Sequence, residues 1–291
     1  MLTSNPAKVR CRPIQEEDLD PVADLLTEGF PIRSRKYWTS GLDRLRHRPT
    51  LEGFPRFGYV LESDGAPVGV LLLIFLGAGE DGAPPKFNVS SWYVRPAFRV
   101  HAPMMVSLTL KRKHAIYLNT SPAPETLPIL GAMGFKPLTN GQFLCVPGLS
   151  SRGWRAKAIL VGPGAVLPDY PDPAELRLLR DHAAQGCISL ACRDAAGWAP
   201  LVFLRRQIRY SPLGAVQLAY CRDTADLARF GGAVGRRLLG QGQGLVLCDA
   251  DGPVPGLAGR FFPGKAPKYY KGPVPPRAND LAYTEAVVFG A

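Results

Sequence analysis

The sequence has no apolar run long enough to cross a membrane. Its longest, VGVLLLIFL over residues 68–76, falls far short of the ~20 residues that a spanning helix needs. Metal-binding cysteine patterns are also missing. Cys11, Cys145, Cys187, Cys192, Cys221 and Cys248 form no CxxC pair and no finger spacing, so no metal site is expected. Reduced, mostly buried thiols are expected instead. Nowhere do five basic residues stand together, which gives a nucleic-acid-binding tail no support. The opening MLTSNPAKVRCRPI contains no apolar signal core, so the expected location is the cytoplasm.

Acidic residues are in deficit, 24 against 35 basic ones, for a net charge of +11. Lysine is scarce too, so the excess is guanidinium. Arginine grips phosphate and carboxylate through paired hydrogen bonds, which suggests a phosphate-bearing partner. The same excess follows from codon bias in a GC-rich genome, with the charge spread evenly over the surface. The 46% hydrophobic and 20% charged content over 291 residues is globular and excludes collagen-like or wholly disordered chains. At roughly 100–200 residues per domain, one large or two smaller domains fit. Gly 31 and Pro 29 predict many turns and short elements.

Hydrophobic periodicity then sets an order of elements. KVRCRPI reads as a strand, and QEEDLDPVADLLTEGF as a helix with acids at its positive end. RKYWTSGLDRLRHRP is a second amphipathic piece. RFGYVLES and PVGVLLLIF flank Asp64-Gly65, a hairpin signal. The loop GAGEDGAPP leads to the strand FNVSSWYV. APMMVSLTLKR is helical, AIYLNT is a strand, ETLPILGAMGF holds a short helix, and a small hairpin closes near Val146. From about residue 155 the order returns. AKAILV, PAELRLLRDHAAQ, the hairpin CISLACRDAAGWAPLVFLRRQIRY, AVQLAYC, the helix DTADLARFGGAVGRRLLGQG and LVLCDAD follow one another, and KYYKGP with DLAYTEAVVF makes the closing pair. The repeat lies in element order alone, with the boundary placed at 150–153.

One stretch gives this order a family. SSWYVRPAFRVHAPMMVSLTLK resembles the acyl-CoA-binding motif of the GNAT superfamily of N-acyltransferases, with Trp92, Val94, Pro96, Phe98 and Arg99 in the motif positions. AIYLNTSPAPETLPILGAMGF resembles the family's next strand and helix, ending in Gly134-Phe135, and VLESDGAPVGVLLL resembles its central hairpin. The resemblance covers roughly residues 8–146. It implies an α/β fold of two GNAT-like domains, each a mixed twisted sheet flanked by helices. Residues 1–150 would be the acyl-CoA-binding domain and 151–291 a second, divergent one.

The resemblance also implies a binding site. CoA or an acyl-CoA thioester would lie along Trp92, Tyr93 and Val94, bonded like an added strand. Its phosphates would meet Arg99, Val100, His101, Ala102 and Met104 at a helix start, with Arg95 adding charge. The family's loop glycines are replaced here by Ala102 and Met104, and Pro103 lacks an N–H. Asn88 stands where many members carry a Glu base, and Leu130 where many carry a Tyr acid.

Catalytic candidates are therefore few. Ser91 (or its neighbour Ser90) lies on the motif strand, and Asn119 lies at the next strand's C-terminal edge, where ligands of open α/β sheets collect. Should the halves share a cleft, Tyr283 or Glu285 would be available for proton transfer. The Gly231, Gly232 and Gly235 run sits in an amphipathic pattern and reads as a helix with close-packed neighbours rather than a phosphate loop. The function expected is transfer of an acyl group from acyl-CoA to an amine or hydroxyl of an unidentified acceptor. Two alternatives stand beside it: a catalytically silent acyl-CoA-binding module, and a transferase using aminoacyl-tRNA, since tandem GNAT-like pairs resemble Fem-type transferases. Neither a membrane nor a nucleic acid is an expected partner, and the sequence leaves the oligomeric state open.

Overall fold

The computed structural model describes residues 9–77, 82–206 and 214–290, so residues 78–81 of the GAGEDGAPP loop and the end of the second hairpin lie outside the described residues. Two compact units emerge. The first holds the described residues up to Asn119, with Lys271–Val274 and Val288–Gly290. The second holds Thr120–Tyr270 and Pro275–Val287. Residues 120–150, grouped by sequence order with the first half, belong by contact to the second unit.

In the first unit, β1 (Val9–Pro13) precedes α1 (Leu19–Gly29) and α2 (Arg35–Arg46). Then come β2 (Gly58–Ser63), β3 (Ala66–Gly77), β4 (Lys86–Val94), α3 (Ala102–Thr109) and β5 (Ile116–Asn119). Their sheet order is β1-β2-β3-β4-β5, antiparallel except for the parallel pair β4–β5. Asp64 and Gly65 both take positive φ, 48° and 84°, as a two-residue primed turn requires. The apolar stripe of α1, Leu19, Val22, Leu25 and Leu26, is buried, as are Trp38, Leu42 and Leu45 of α2. Asp18, just before α1, accepts the Gln15 N–H at 2.8 Å and receives two bonds from Arg12.

The second unit contains α4 (Leu127–Ala132), β6 (Lys136–Pro137), β7 (Gly141–Cys145), β8 (Lys157–Leu160) and α5 (Pro173–Ala184). It continues with β9 (Ile188–Asp194), β10 (Gly197–Arg206), β11 (Gly214–Cys221), α6 (Thr224–Arg229), α7 (Gly231–Leu239) and β12 (Gln243–Ala250). The last elements are β13 (Gly259–Pro263), β14 (Tyr269–Lys271) and α8 (Glu285–Val288), of which Lys271 and Val288 count with the first unit. The sheet order is β13-β7-β12-β11-β10-β9-β8. Read from β8 to β12, three antiparallel pairs and one parallel pair repeat the arrangement of β1 to β5. The repeat inferred from element order is thus present in strand pairing. Both faces of this sheet are buried, by Leu190, Leu201, Phe203 and Val246 in one cluster and by Leu179, Ala191, Val202 and Ala219 in another.

Three local expectations change. The hairpin near Val146 does not form: β7 lies between β12 and β13, antiparallel to both, while β6 pairs with β14. The closing pair does not form either, because the second segment makes α8 and only a single bridge, Tyr220 to Asp280. Asn279, just before that segment, and Tyr283 within it have φ of 57° and 60°, left-handed values outside the range of a regular strand. The helix expected from Asp223 onward is broken at Phe230. The Gly232 N–H bonds the Arg152 carbonyl at 2.8 Å rather than a carbonyl of its own helix. The glycines of α7 do allow close packing, since a Cβ on Gly231 would lie 2.7 Å from that of Ser150.

Candidate functional site

The parallel pairing of β4 with β5 is short. It runs from Lys86 opposite Ile116 to Asn88 opposite Leu118 and goes no further, although β4 continues to Val94. Asn88, 1% exposed, sits at the parting point and donates its side-chain N–H groups to the carbonyls of Val89 (3.1 Å) and Leu118 (3.2 Å). Just beyond, β4 bulges. Tyr93 faces Val70 and Ser90 faces Leu72, so Ser91 and Trp92 together oppose Leu71. Ser91 has φ of 46°, a left-handed conformation. A bulge bends its strand and tightens the local twist, which carries β4 away from β5. Among the described residues β5 pairs with none of residues 89–94, and Asn119, half-buried, ends β5 just past the parting.

A 3-10 turn, Pro96–His101, leads from β4 into α3. The position of α3 is fixed by contact with the sheet: a Cβ on Gly69 of β3 would meet Val94 at 3.0 Å and Met105 at 3.4 Å. Tight turns consume donors that an open loop would present. The Phe98 N–H bonds the Arg95 carbonyl and the Ala102 N–H the Arg99 carbonyl, while Pro103 has no N–H. Arg95 is also engaged, donating to the Glu28 carboxylate from Nε (3.0 Å) and Nη2 (2.8 Å). Arg95 holds that carboxyl below its ordinary range. Tyr93 donates its hydroxyl to Glu28 at 2.9 Å, and burial, then Glu28, pushes that hydroxyl up.

Of the residues expected to meet phosphates, Arg99 is exposed and forms no ion pair among the described residues, and His101 and Ala102 are half-buried. Val100 and Met104 point outward, 78% and 41% exposed. On the strand, Val94 is buried and Trp92 half-buried, its indole N–H without a hydrogen-bond partner among the described residues. The candidates therefore occupy one continuous strand, turn and helix start. Ser91 lies at the bulge, with its hydroxyl 3.5 Å from that of Ser90. Glu285 opens α8, in the second unit. Sequence reasoning missed the Glu28 pairing with Arg95, for which a lone acid at the end of α1 gave no signal. A cleft of about 490 Å³ lined by Phe54, Tyr59 and Arg112 lies at the other end of β5, near the segment preceding it. Among the described residues no group of metal-binding side chains gathers.

Neither a protein-family profile nor a curated protein sequence matches this chain. Solved structures do. A GCN5-related N-acetyltransferase from Anabaena variabilis aligns with TM-score 0.57 at 12% identity, over 90% of this chain and 72% of its own. Another, from Kribbella flavida, aligns with TM-score 0.57 at 15% identity, over 92% and 72%. A protein from Pyrococcus horikoshii aligns with TM-score 0.54 at 10% identity, over 97% and 96%. This chain has the GNAT fold. At these identities the likeness concerns the fold alone. Asn88, where many GNAT members carry a base, is committed to two carbonyls, and Leu130, where many carry an acid, is a buried apolar side chain.

Proposed function

We propose that this protein is an acyl-CoA-dependent acyltransferase that moves an acyl group to an amine or hydroxyl acceptor. The observation that carries this reading is the parting of β4 from β5 at Asn88, with the bulge at Ser91 that bends β4 away. An extended, amide-bearing chain such as pantetheine can enter between the parted strands and pair with β4 as an added strand. Trp92, Tyr93 and Val94 would border it, and Arg99, Val100, His101, Ala102 and Met104 would lie toward the phosphates.

The fit is better for the pantetheine than for the phosphates. Two N–H groups near the helix start are spent in 3-10 turns, and Arg95 is neutralised by Glu28, leaving Arg99 as the positive side chain and His101 as a ring hydrogen-bonding group. Weak affinity for CoA is the expected consequence. In the reaction, the acceptor nitrogen or oxygen attacks the thioester carbonyl, the C–S bond breaks, and the acceptor proton passes to water or to a group other than Asn88. Alignment of the two reactants supplies much of the rate without a strong base. Ser91 and Asn119, on the edges of the opening, are the candidates for orienting the acceptor or the thioester carbonyl; Glu285 belongs to the second unit.

The test is the change in unfolding temperature with CoA, acetyl-CoA and long-chain acyl-CoA, followed by assay of free-thiol release over a panel of amines and alcohols. Ligand at 100 times its dissociation constant adds about 2.7 kcal/mol of stability, a shift of several degrees. Binding with thiol release supports the transferase. Binding without release over the whole panel supports the second reading, a silent acyl-CoA-binding module, which the loss of both Glu and Tyr positions favours. No binding of any thioester overturns both.

A further inference from the structure

We infer that the second half contains a cleft of the same kind and that the chain fills it with its own residues 279–281. The pairing of β11 with β12 ends at Gln217 opposite Leu247, much as β4 and β5 part at Asn88 and Leu118. As in β4, a bulge follows: Tyr220 faces Val202 and Leu218 faces Phe203, so Ala219 is the extra residue. Two strands that should continue side by side separate, and each presents unpaired main-chain groups.

Residues 279–281 take up those groups on both sides. Along β11, the Cys221 N–H bonds the Asn279 carbonyl at 3.2 Å, the Leu281 N–H bonds the Ala219 carbonyl at 2.8 Å, and Asp280 bridges antiparallel to Tyr220. Along β12, the Asp249 N–H bonds Asn279 Oδ1 at 2.7 Å, and Asn279 Nδ2 donates to the Asp249 carbonyl at 2.9 Å and to Thr224 Oγ1 at 3.0 Å. A primary amide has the donor and acceptor of a peptide unit. Asn279 therefore pairs with one strand through its main chain and with the other through its side chain. Its φ of 57° is a conformation that asparagine tolerates better than most residues. Asn279 is fully buried, and Asp280 and Leu281 are 5% exposed. The end of β12 is held from its other side, where Lys268 donates to the Asp249 carboxylate at 2.6 Å and Gln142 at 3.2 Å.

The edges that an extended amide ligand would use in the second half are thus consumed within the chain. The second half acts as an intramolecular strand-addition site whose peptide ligand is 279–281. It takes no donor of its own, and the protein holds one donor per chain. The count of one rests on the proposed donor site in the first half; the closure of the second cleft does not.

Hydrogen exchange followed by mass spectrometry, on the full chain with and without CoA, separates the two claims. Peptides covering 217–221, 247–250 and 279–283 should exchange slowly in the free chain and be unchanged by CoA, while a peptide covering 89–95 should contain fast-exchanging amides, those not bonded to β3, that slow down with CoA. Fast exchange at Cys221, Asp249 and Leu281 in the free chain, or their protection only when CoA is added, overturns the closed cleft. Absence of any CoA effect on 89–95 overturns the donor site and leaves the closure readable from the free chain. Asn279→Gly keeps the backbone conformation accessible and removes the amide. It should speed exchange at Asp249 and Cys221 by about tenfold or more. Unaltered exchange in that variant also overturns the closure. Where CoA binds, a titration should count about one site per chain, and two sites would refute the inference.

Discussion

Asn88 and Leu118 are the last residues that hold β4 and β5 together, joined by a 3.2 Å bond from the Asn88 amide to the Leu118 carbonyl. The amide bonds the Val89 carbonyl as well, so a single side chain satisfies two acceptors at the point of parting. Asn88→Ala should cost about 1–3 kcal/mol by leaving buried carbonyls unpaired, visible as a lower unfolding temperature. Asn88→Asp should lose more at neutral pH, because a carboxylate would face two carbonyls, and should regain stability on acidification as it becomes a donor again. Equal unfolding temperatures for wild type and Asn88→Ala would contradict the assignment.

The Glu28 pairing makes a prediction about affinity. Both partners are partly exposed, so Glu28→Gln should change stability by less than about 1 kcal/mol. It releases the Arg95 guanidinium at the start of the 3-10 turn, and CoA should then bind more tightly, more so at low ionic strength. Titration at two salt concentrations checks this; an unchanged dissociation constant at both would show that Arg95 faces away from the donor.

Acid stability should depend on Arg12. It donates to Asp18 from both terminal nitrogens and to Glu62 from Nε at 2.8 Å, and these bonds hold both carboxyls below their ordinary range. Groups with depressed folded-state values contribute stability above their unfolded pKa, about 4, and lose it as pH falls through the folded values. Arg12→Met should therefore be less stable at neutral pH and show a flatter decline below about pH 4. Chemical denaturation across that range measures both curves, and parallel curves would exclude the link.

Two glycines in helices should respond in opposite directions to alanine. A Cβ on Gly235 of α7 would fall on the backbone of Gly148, so Gly235→Ala should destabilise by about 1–3 kcal/mol or more. A Cβ on Gly131 of α4 meets nothing within 4 Å, so Gly131→Ala should stabilise by about 0.5–1 kcal/mol. Thermal unfolding of the two variants, measured together, decides.

Much of the architecture could be read from local pattern. The amphipathic period of LDPVADLLTEG, the Asp64-Gly65 turn and the buried run of β3 each name their element, because helix and strand periodicity and turn chemistry are properties of neighbouring residues. The stretch from Trp92 to Arg99 pointed to the GNAT fold through its resemblance to the family's motif.

Non-local pairing was not legible. That β7 would lie between β12 and β13 depends on partners some hundred residues away, and the two residues of β6 carry no register signal. Asn279 carries no signal of its own in the sequence, since its role arises only where Ala219, Cys221 and Asp249 are brought around it. Likewise a charge count could not show that Arg95 is held by Glu28. The sequence by itself determined most of the helices and strands and their order, because those preferences are short-ranged. Only the tertiary structure decided which polar groups are left open and which are already paired, because a hydrogen-bond donor or acceptor is satisfied by whatever the fold places about 3 Å away, regardless of distance along the chain.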